Sequence, residues 1–318
     1  MEYKYCGKSG LQLPIMSLGL WHNFGDVDDF ATATDILCYA FDQGITHFDL
    51  ANNYGPSPGS AETNFGRIFS NELRGHRDEM IITSKAGHLM WNGPYGDGGS
   101  RKYMMASIDQ SLKRTGLEYF DVFYSHRYDP QTPIEETIQA LIDIVRQGKA
   151  LYVGISKYPA DKAEQAYRML AAQHVPCIIY QGRYNMLDRQ PEAEVMPLND
   201  ACGVGFVAFS PLAQGLLTNK YLNGIPENSR AAKASGHLQT SAITPAVVSK
   251  LKELNVVANK RNQSLAEMAL AWILQRKSVT SVIVGASSVE QLKSNLQAMN
   301  NSSFAPDELN LIDCILAR

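Results

Sequence analysis

The stretch His47-Phe-Asp-Leu-Ala-Asn-Asn-Tyr54 decides how the chain is read. It opens as an apolar run behind Ile45, then turns polar at Asp49, Asn52, Asn53 and Tyr54. A strand covered on both faces stays apolar, so an acid, two amides and a phenol at its end need a reason. The same change recurs along the sequence. Candidate strands cover residues 15–21, 45–51, 79–86, 119–126, 150–156, 177–181, 204–210 and 281–286. The third ends ITSKAG, the fourth FYSHR, the fifth GISK, the sixth YQGR and the seventh AFSP, while the eighth reaches Gly285-Ala-Ser287.

Helix-period segments lie between these runs. Ile134, Ile138, Leu141, Ile142 and Val145 recur at spacings of three and four, which places one apolar stripe against a sheet. Pro133, Glu135 and Glu136 suit the first turn of that helix, and Gly148 stops it. Val289, Leu292, Leu296 and Met299 repeat the pattern after Ser287 or Ser288 as a cap. Strand and helix alternate from end to end, which predicts an α/β chain whose eight units close as a (β/α)8 TIM barrel, one domain over residues 1–318. Four features fall outside the repeat: an N-terminal hairpin at 3–13, a Gly-rich loop at 87–100 after the third strand, a long connection at 211–244 after the seventh, and an extra C-terminal helix at 306–317. Loops that follow strands sit on the catalytic face of a barrel, so the two long ones are site candidates.

Bulk composition excludes several classes. With 318 residues, 45% hydrophobic and 19% charged, the chain has ordinary globular composition. A net charge of -3 gives no field that attracts nucleic acid or an anionic membrane. The five cysteines (Cys6, Cys38, Cys177, Cys202, Cys314) are odd in number and scattered, so no disulfide framework or metal site is expected. The N-terminus MEYKYCGKSGLQLP lacks an apolar core, and no run approaches ~20 apolar residues. A cytoplasmic protein with reduced thiols is the expectation.

In a barrel the strand ends converge on one mouth, so Asp49, Lys85, His126, Ser156, Gln181 and Ser210 should ring one pocket. Alone, each is more often a loop-boundary residue, and His126 a structural histidine. Together they point to a site, because Lys and Asp buried unpaired would cost several kcal/mol. The set suits proton donation. Tyrosine's ordinary pKa of ~10 is high for acid catalysis, and a nearby ammonium held by an aspartate should lower it. That makes Tyr54 the acid for carbonyl reduction, with Lys85 and Asp49 beneath it and His126 polarising the carbonyl. Lys85 could instead serve as a Schiff-base amine in a barrel lyase. No G-x-G-x-x-G follows a strand, so a dinucleotide would lie across the mouth, with backbone N–H groups from Ser210-Pro-Leu-Ala-Gln-Gly215 on its pyrophosphate. Lys220 and Arg230 offer cations for an adenosine 2′-phosphate, or are an ordinary solvated loop. Trp21, Tyr54, Trp91 and Tyr95 could wall the substrate pocket, with His126 beside them, and Arg127 or Arg101 could meet a substrate phosphate.

These runs resemble the aldo-keto reductases. The resemblance rests on Gly19-Leu-Trp21-His-Asn, Phe48-Asp-Leu-Ala-Asn-Asn-Tyr54-Gly, Ile82-Thr-Ser-Lys85, Tyr124-Ser-His126-Arg, Gly154-Ile-Ser156 and Phe209-Ser-Pro-Leu-Ala-Gln-Gly-Leu-Leu-Thr-Asn-Lys220-Tyr, and covers essentially the whole chain. AETNFGR, GPYGDGGSR and GIPENSR are similar to the bacterial L-glyceraldehyde 3-phosphate reductase branch, with the potassium-channel β-subunit branch nearby. The resemblance implies a tetrad of Asp49, Tyr54, Lys85 and His126. It implies NADP(H) contacts from Trp21, Asp49, Ser156, Lys157, Gln181, Ser210, Pro211, Leu212, Ala213, Gln214, Gly215, Lys220, Asn228 and Arg230. Gly285, Ser287, Gln291, Ser294 and Asn295 are implied for the adenosine end. It implies NADPH-dependent reduction of small aldehydes, of the glyceraldehyde 3-phosphate or methylglyoxal kind, by a homo-oligomer of four or more copies. The alternative is an NADP-binding regulatory or adaptor subunit with weak reductase activity. Two positions depart from the pattern: Lys157 stands where many members have Asn, and Asn219 where Gly is usual. His126, where the channel branch often has Asn, favours catalysis.

Overall fold

The computed structural model describes residues 1–226 and 238–318. An antiparallel hairpin, β1 (Tyr3–Tyr5) and β2 (Gln12–Pro14), comes first. Then follow β3 (Met16–Gly19), β4 (His47–Asp49), β5 (Ile81–Ala86), β6 (Phe120–Ser125), β7 (Ala150–Ser156), β8 (Cys177–Arg183), β9 (Gly205–Phe209) and β10 (Val279–Val284). Each of these pairs in parallel with the next, and β10 closes on β3, which makes the (β/α)8 barrel. Most strand residues are buried, as expected where side chains fill the barrel on one face and meet helices on the other.

The helices form where the apolar stripes lie. Ile134–Arg146 buries Ile138, Leu141 and Ile142, and Gly148 takes the left-handed φ of 71° that ends it. Pro133 is the residue just before this helix rather than within its first turn. Ser288, not Ser287, caps Val289–Leu296 by accepting from the Gln291 N–H. Pro306–Ala317 is the added C-terminal helix. Between β9 and β10 the described residues form two α-helices where the repeat calls for one. Leu265–Leu274 is buried along nearly its whole length and packs on β10, while Pro245–Lys260 packs against Pro306–Ala317.

Strand register places the site. Asp49 lies opposite Thr83, Lys85 opposite Tyr124, and Ser156 opposite Gln181, so the polar strand ends share one side of the barrel. Beneath them the interior is polar as well. Ser17 Oγ lies 2.6 Å from Ser281 Oγ and 2.8 Å from His47 Nδ1. His47 Nε2 lies 3.3 Å from Thr83 Oγ1, which donates to Asp49 Oδ1 at 3.0 Å. A continuous chain of side-chain contacts therefore joins the barrel centre to the mouth.

Candidate active site

A pocket of about 440 Å³ opens at the C-terminal ends of the strands. That volume lies in the range of small-molecule sites. At its floor, Lys85 Nζ donates to Asp49 Oδ2 at 2.6 Å and to the Leu50 carbonyl at 2.6 Å, and lies 3.4 Å from Tyr54 Oη. Asp49 Oδ1 also accepts from Gln181 Nε2 at 2.9 Å. Three donors thus hold one carboxylate, and one ammonium sits beneath the phenol. His126 meets the Tyr54 ring edge-on, with centroids 5.9 Å apart, and its backbone N–H donates to Ala86 O at 2.8 Å.

Burial governs the protonation of this group. Tyr54 is pushed well above its ordinary pKa by burial and then by Asp49. The expected lowering of the tyrosine pKa is therefore not what this arrangement produces, and Tyr54 rests as a phenol. His126 is held well below its usual pKa by burial and by Lys85, Lys157, His88 and Arg127, so its imidazole is neutral at physiological pH. Lys85 is lowered by burial, opposed by Asp49. Its side chain is closed off from solvent, which is at odds with a Schiff-base amine meeting a substrate.

Most residues singled out in the sequence meet in this pocket. Trp21, Asp49, Tyr54, His126, Ser156, Lys157, Gln181, Ser210, Pro211, Leu212, Gln214, Gly215, Lys220, Gly285, Ser287 and Gln291 line it. Lys85 lies behind Tyr54. Ala213, Trp91, Arg127, Ser294 and Asn295 are not part of the lining among the described residues. Trp91 packs on Tyr103 with centroids 5.5 Å apart, Arg127 pairs with Asp97 at 2.9 Å, and Arg101 pairs with Asp143. Ser294 Oγ donates to Glu267 Oε1 at 3.3 Å. Asn228 and Arg230 lie outside the described residues.

The sequence assigns no individual role to other lining residues: His22, Asn23, Asn53, His88, Thr218 and Tyr221. His88 is the most informative. Its ring meets that of His126 edge-on at 4.5 Å, and Lys157 Nζ lies 2.9 Å from its Nε2. It stands three residues past Lys85 in the Gly-rich loop, where strand-end geometry already pointed. The AETNFGR run is structural instead. Buried Glu62 accepts from Ser84 Oγ at 2.5 Å and Arg114 Nε at 2.7 Å, while Asn64 Nδ2 donates to the Phe24 and Gly25 carbonyls.

The pocket walls suit a dinucleotide. Ser156 Oγ is buried against the lining with no hydrogen-bond partner among the described residues, as a group meant for a polar ligand would be. Ser210, Ala213, Gln214 and Gly215 all have positive φ (52°, 46°, 60° and 97°), an uncommon run in which the Ala213 and Gly215 N–H groups donate to the Ser210 and Leu212 carbonyls. A Cβ added at Gly285 would meet no protein atom within 4 Å. Lys220 supplies a cation to the lining. The aldo/keto reductase family model matches residues 15–317.

The chain belongs to the aldo/keto reductase family. These enzymes are oxidoreductases that generally use NAD(P)H, and this chain is one of them. It is 55% identical over 317 residues to the L-glyceraldehyde 3-phosphate reductase of Escherichia coli O157:H7, covering 98% of this chain and 92% of that protein. The protein of the same name from strain K12 is 54% identical over the same shares. A probable voltage-gated potassium channel subunit beta from Arabidopsis thaliana is 36% identical over 308 residues, 94% of this chain and 92% of that protein. Among the described residues no helix is long and apolar enough to cross a membrane.

Proposed function

We propose that this aldo/keto reductase reduces small aldehydes with NADPH, glyceraldehyde 3-phosphate or a similar short aldehyde among them, with Tyr54 as general acid. The observation that carries the reading is the meeting of Tyr54 and His126 across the pocket, above the buried Lys85–Asp49 pair. Ser156, Gln181, the 210–215 backbone, Lys220, Gly285, Ser287 and Gln291 would hold the dinucleotide. When bound, it supplies the hydride.

The protein's own share is the proton. Tyr54 keeps its phenolic hydrogen throughout the neutral range, and an oxygen becoming an alkoxide is basic enough to take it. Lys85, 3.4 Å away, then faces a tyrosinate, and its charge limits the cost of forming that anion in a buried site. Asp49 keeps the ammonium charged and fixed. Neutral His126 orients the substrate oxygen by hydrogen bonding, without competing as a strong acid.

Identity to the two reductases exceeds that to the channel subunit, which favours turnover over an adaptor role. NADPH oxidation against a panel of small aldehydes, with and without a phosphate group, tests the proposal. Turnover of at least one short aldehyde is expected. NADPH binding without measurable turnover would leave the adaptor reading in its place.

A further inference from the structure

Several cations in or near the pocket already have a carboxylate. Lys85 has Asp49, Arg127 has Asp97 and Arg101 has Asp143. Lys157 differs. It follows Ser156 at the end of β7 with a left-handed φ of 55°, and its ammonium meets an imidazole, His88 Nε2, at 2.9 Å. Burial and the charges of Lys157 and Arg127 hold His88 down to about 4, so this partner is neutral and leaves the lysine's charge in place. Lys157 is itself pulled down to about 8 by burial and by Lys85 and Arg127, and stays mostly protonated at neutral pH.

The order of groups across the mouth gives this pair its meaning. Tyr54 meets His126, with centroids 5.9 Å apart; His126 meets His88 at 4.5 Å; and His88 meets Lys157. His88 and Lys157 therefore stand beside His126 in the pocket, next to where a carbonyl oxygen would be held. An ammonium has three N–H donors. One meets His88, and the others remain for an anion.

We propose that Lys157 and His88 form a phosphate subsite that selects short phosphorylated aldehydes over their neutral counterparts. The proposal rests on the aldehyde-reductase reading above. A dianionic phosphate draws charge-assisted hydrogen bonds from Lys157, and His88 holds the lysine side chain over the pocket instead of out in solvent. The two groups come from loops 69 residues apart in sequence, and both line the pocket. Arg127 and Arg101, engaged with Asp97 and Asp143, are less available for this task.

Lys157→Asn is the test, because Asn tolerates the left-handed backbone and removes only the charge and the stem. The readout is the ratio of kcat/KM for glyceraldehyde 3-phosphate to that for glyceraldehyde at saturating NADPH. It should fall about 10- to 100-fold, mostly through KM of the phosphorylated substrate. A ratio within about twofold of wild type overturns the subsite. So does a rise in the NADPH dissociation constant that matches the loss, which would assign the lysine to a cofactor phosphate. If the wild type turns over no aldehyde, the reductase reading fails separately. Calorimetric titration of glycerol 3-phosphate into the NADPH-loaded protein then still tests the subsite. Binding weakened about tenfold or more by Lys157→Asn supports it, whereas equal binding, or none to wild type, overturns it.

Discussion

Lys85 Nζ lies 2.6 Å from Asp49 Oδ2, with the two side chains only 0% and 3% exposed. An ion pair so enclosed is weak evidence for stability, since desolvation offsets much of the attraction. Its removal is asymmetric. Lys85→Met leaves the carboxylate of Asp49 with Thr83 and Gln181 but no cation, and should cost about 3–5 kcal/mol in urea unfolding. Asp49→Asn should cost less, because Lys85 is already displaced toward its neutral form and can lose a proton. Equal losses in the two variants would contradict this account. Both should be poor reductases.

Tyr54→Phe separates chemistry from binding. Among the described residues the phenol oxygen makes one long hydrogen-bond contact, 3.4 Å to Lys85, so stability should change by less than about 1 kcal/mol. Aldehyde reduction should fall by roughly 10²–10⁴ while the NADPH dissociation constant holds. Steady-state kinetics and fluorescence titration give both numbers. A rate within tenfold of wild type would remove Tyr54 from the acid role.

Much of this site is legible in the sequence because barrel strands are mainly apolar until they reach the mouth, with Ser17, His47, Thr83 and Ser281 as exceptions that contact one another. Asp49, Lys85, His126, Ser156, Gln181 and Ser210 break that rule in the same phase, and the structure brings them together. Strand ends are less legible. β10 begins at Val279, two residues before the expected start, because Val279 pairs with Phe206 of β9; it also stops before Gly285. The helix Leu265–Leu274 has a readable start, Ser264 with Glu267 three residues on, yet the one-helix-per-strand repeat conceals it. The His88–Lys157 contact could not be read. It joins two loops, and no local periodicity records which loop tips meet.

His47 makes acid sensitivity predictable. Burial holds its pKa down to about 4 in the folded chain, against an ordinary value of 6.5. The unfolded chain therefore binds the extra proton first as pH falls. The neutral histidine's contribution is full above about pH 6.5 and is lost progressively down to about pH 4. Between pH 7.5 and 5 the loss from this group should be about 2 kcal/mol. His88, also held down to about 4, and His126 act with the same sign, so total acid destabilisation is larger. His47→Asn removes only its own share. Urea unfolding at the two pH values should show wild type losing more stability than the variant, and parallel losses would refute the assignment.

Cofactor choice turns on the far end of the pocket. NADP(H) differs from NAD(H) by one phosphate of nearly two negative charges, so the group that reads it should be cationic or a strong donor. Lys220, Ser287 and Gln291 all line the pocket. Lys220 and Lys157 are the lysines of this lining among the described residues, and Lys157 is held by His88. Ser287 Oγ already donates to Gln291 Oε1 at 2.9 Å, which orients the pair but engages the serine proton. Lys220 should therefore carry most of the charge discrimination here. A charge-assisted contact of this kind contributes about 1.5–3 kcal/mol, or roughly 10- to 100-fold in affinity. Lys220→Ala should weaken NADPH by that factor and leave NADH within about threefold, so the preference for NADPH narrows. Because the interaction is ionic and partly exposed, added salt should narrow the wild-type preference too, and affect the variant less. Dissociation constants for both cofactors, at low and high salt, decide the matter. An NADPH/NADH ratio that does not move in Lys220→Ala would place the phosphate against Ser287 and Gln291 instead.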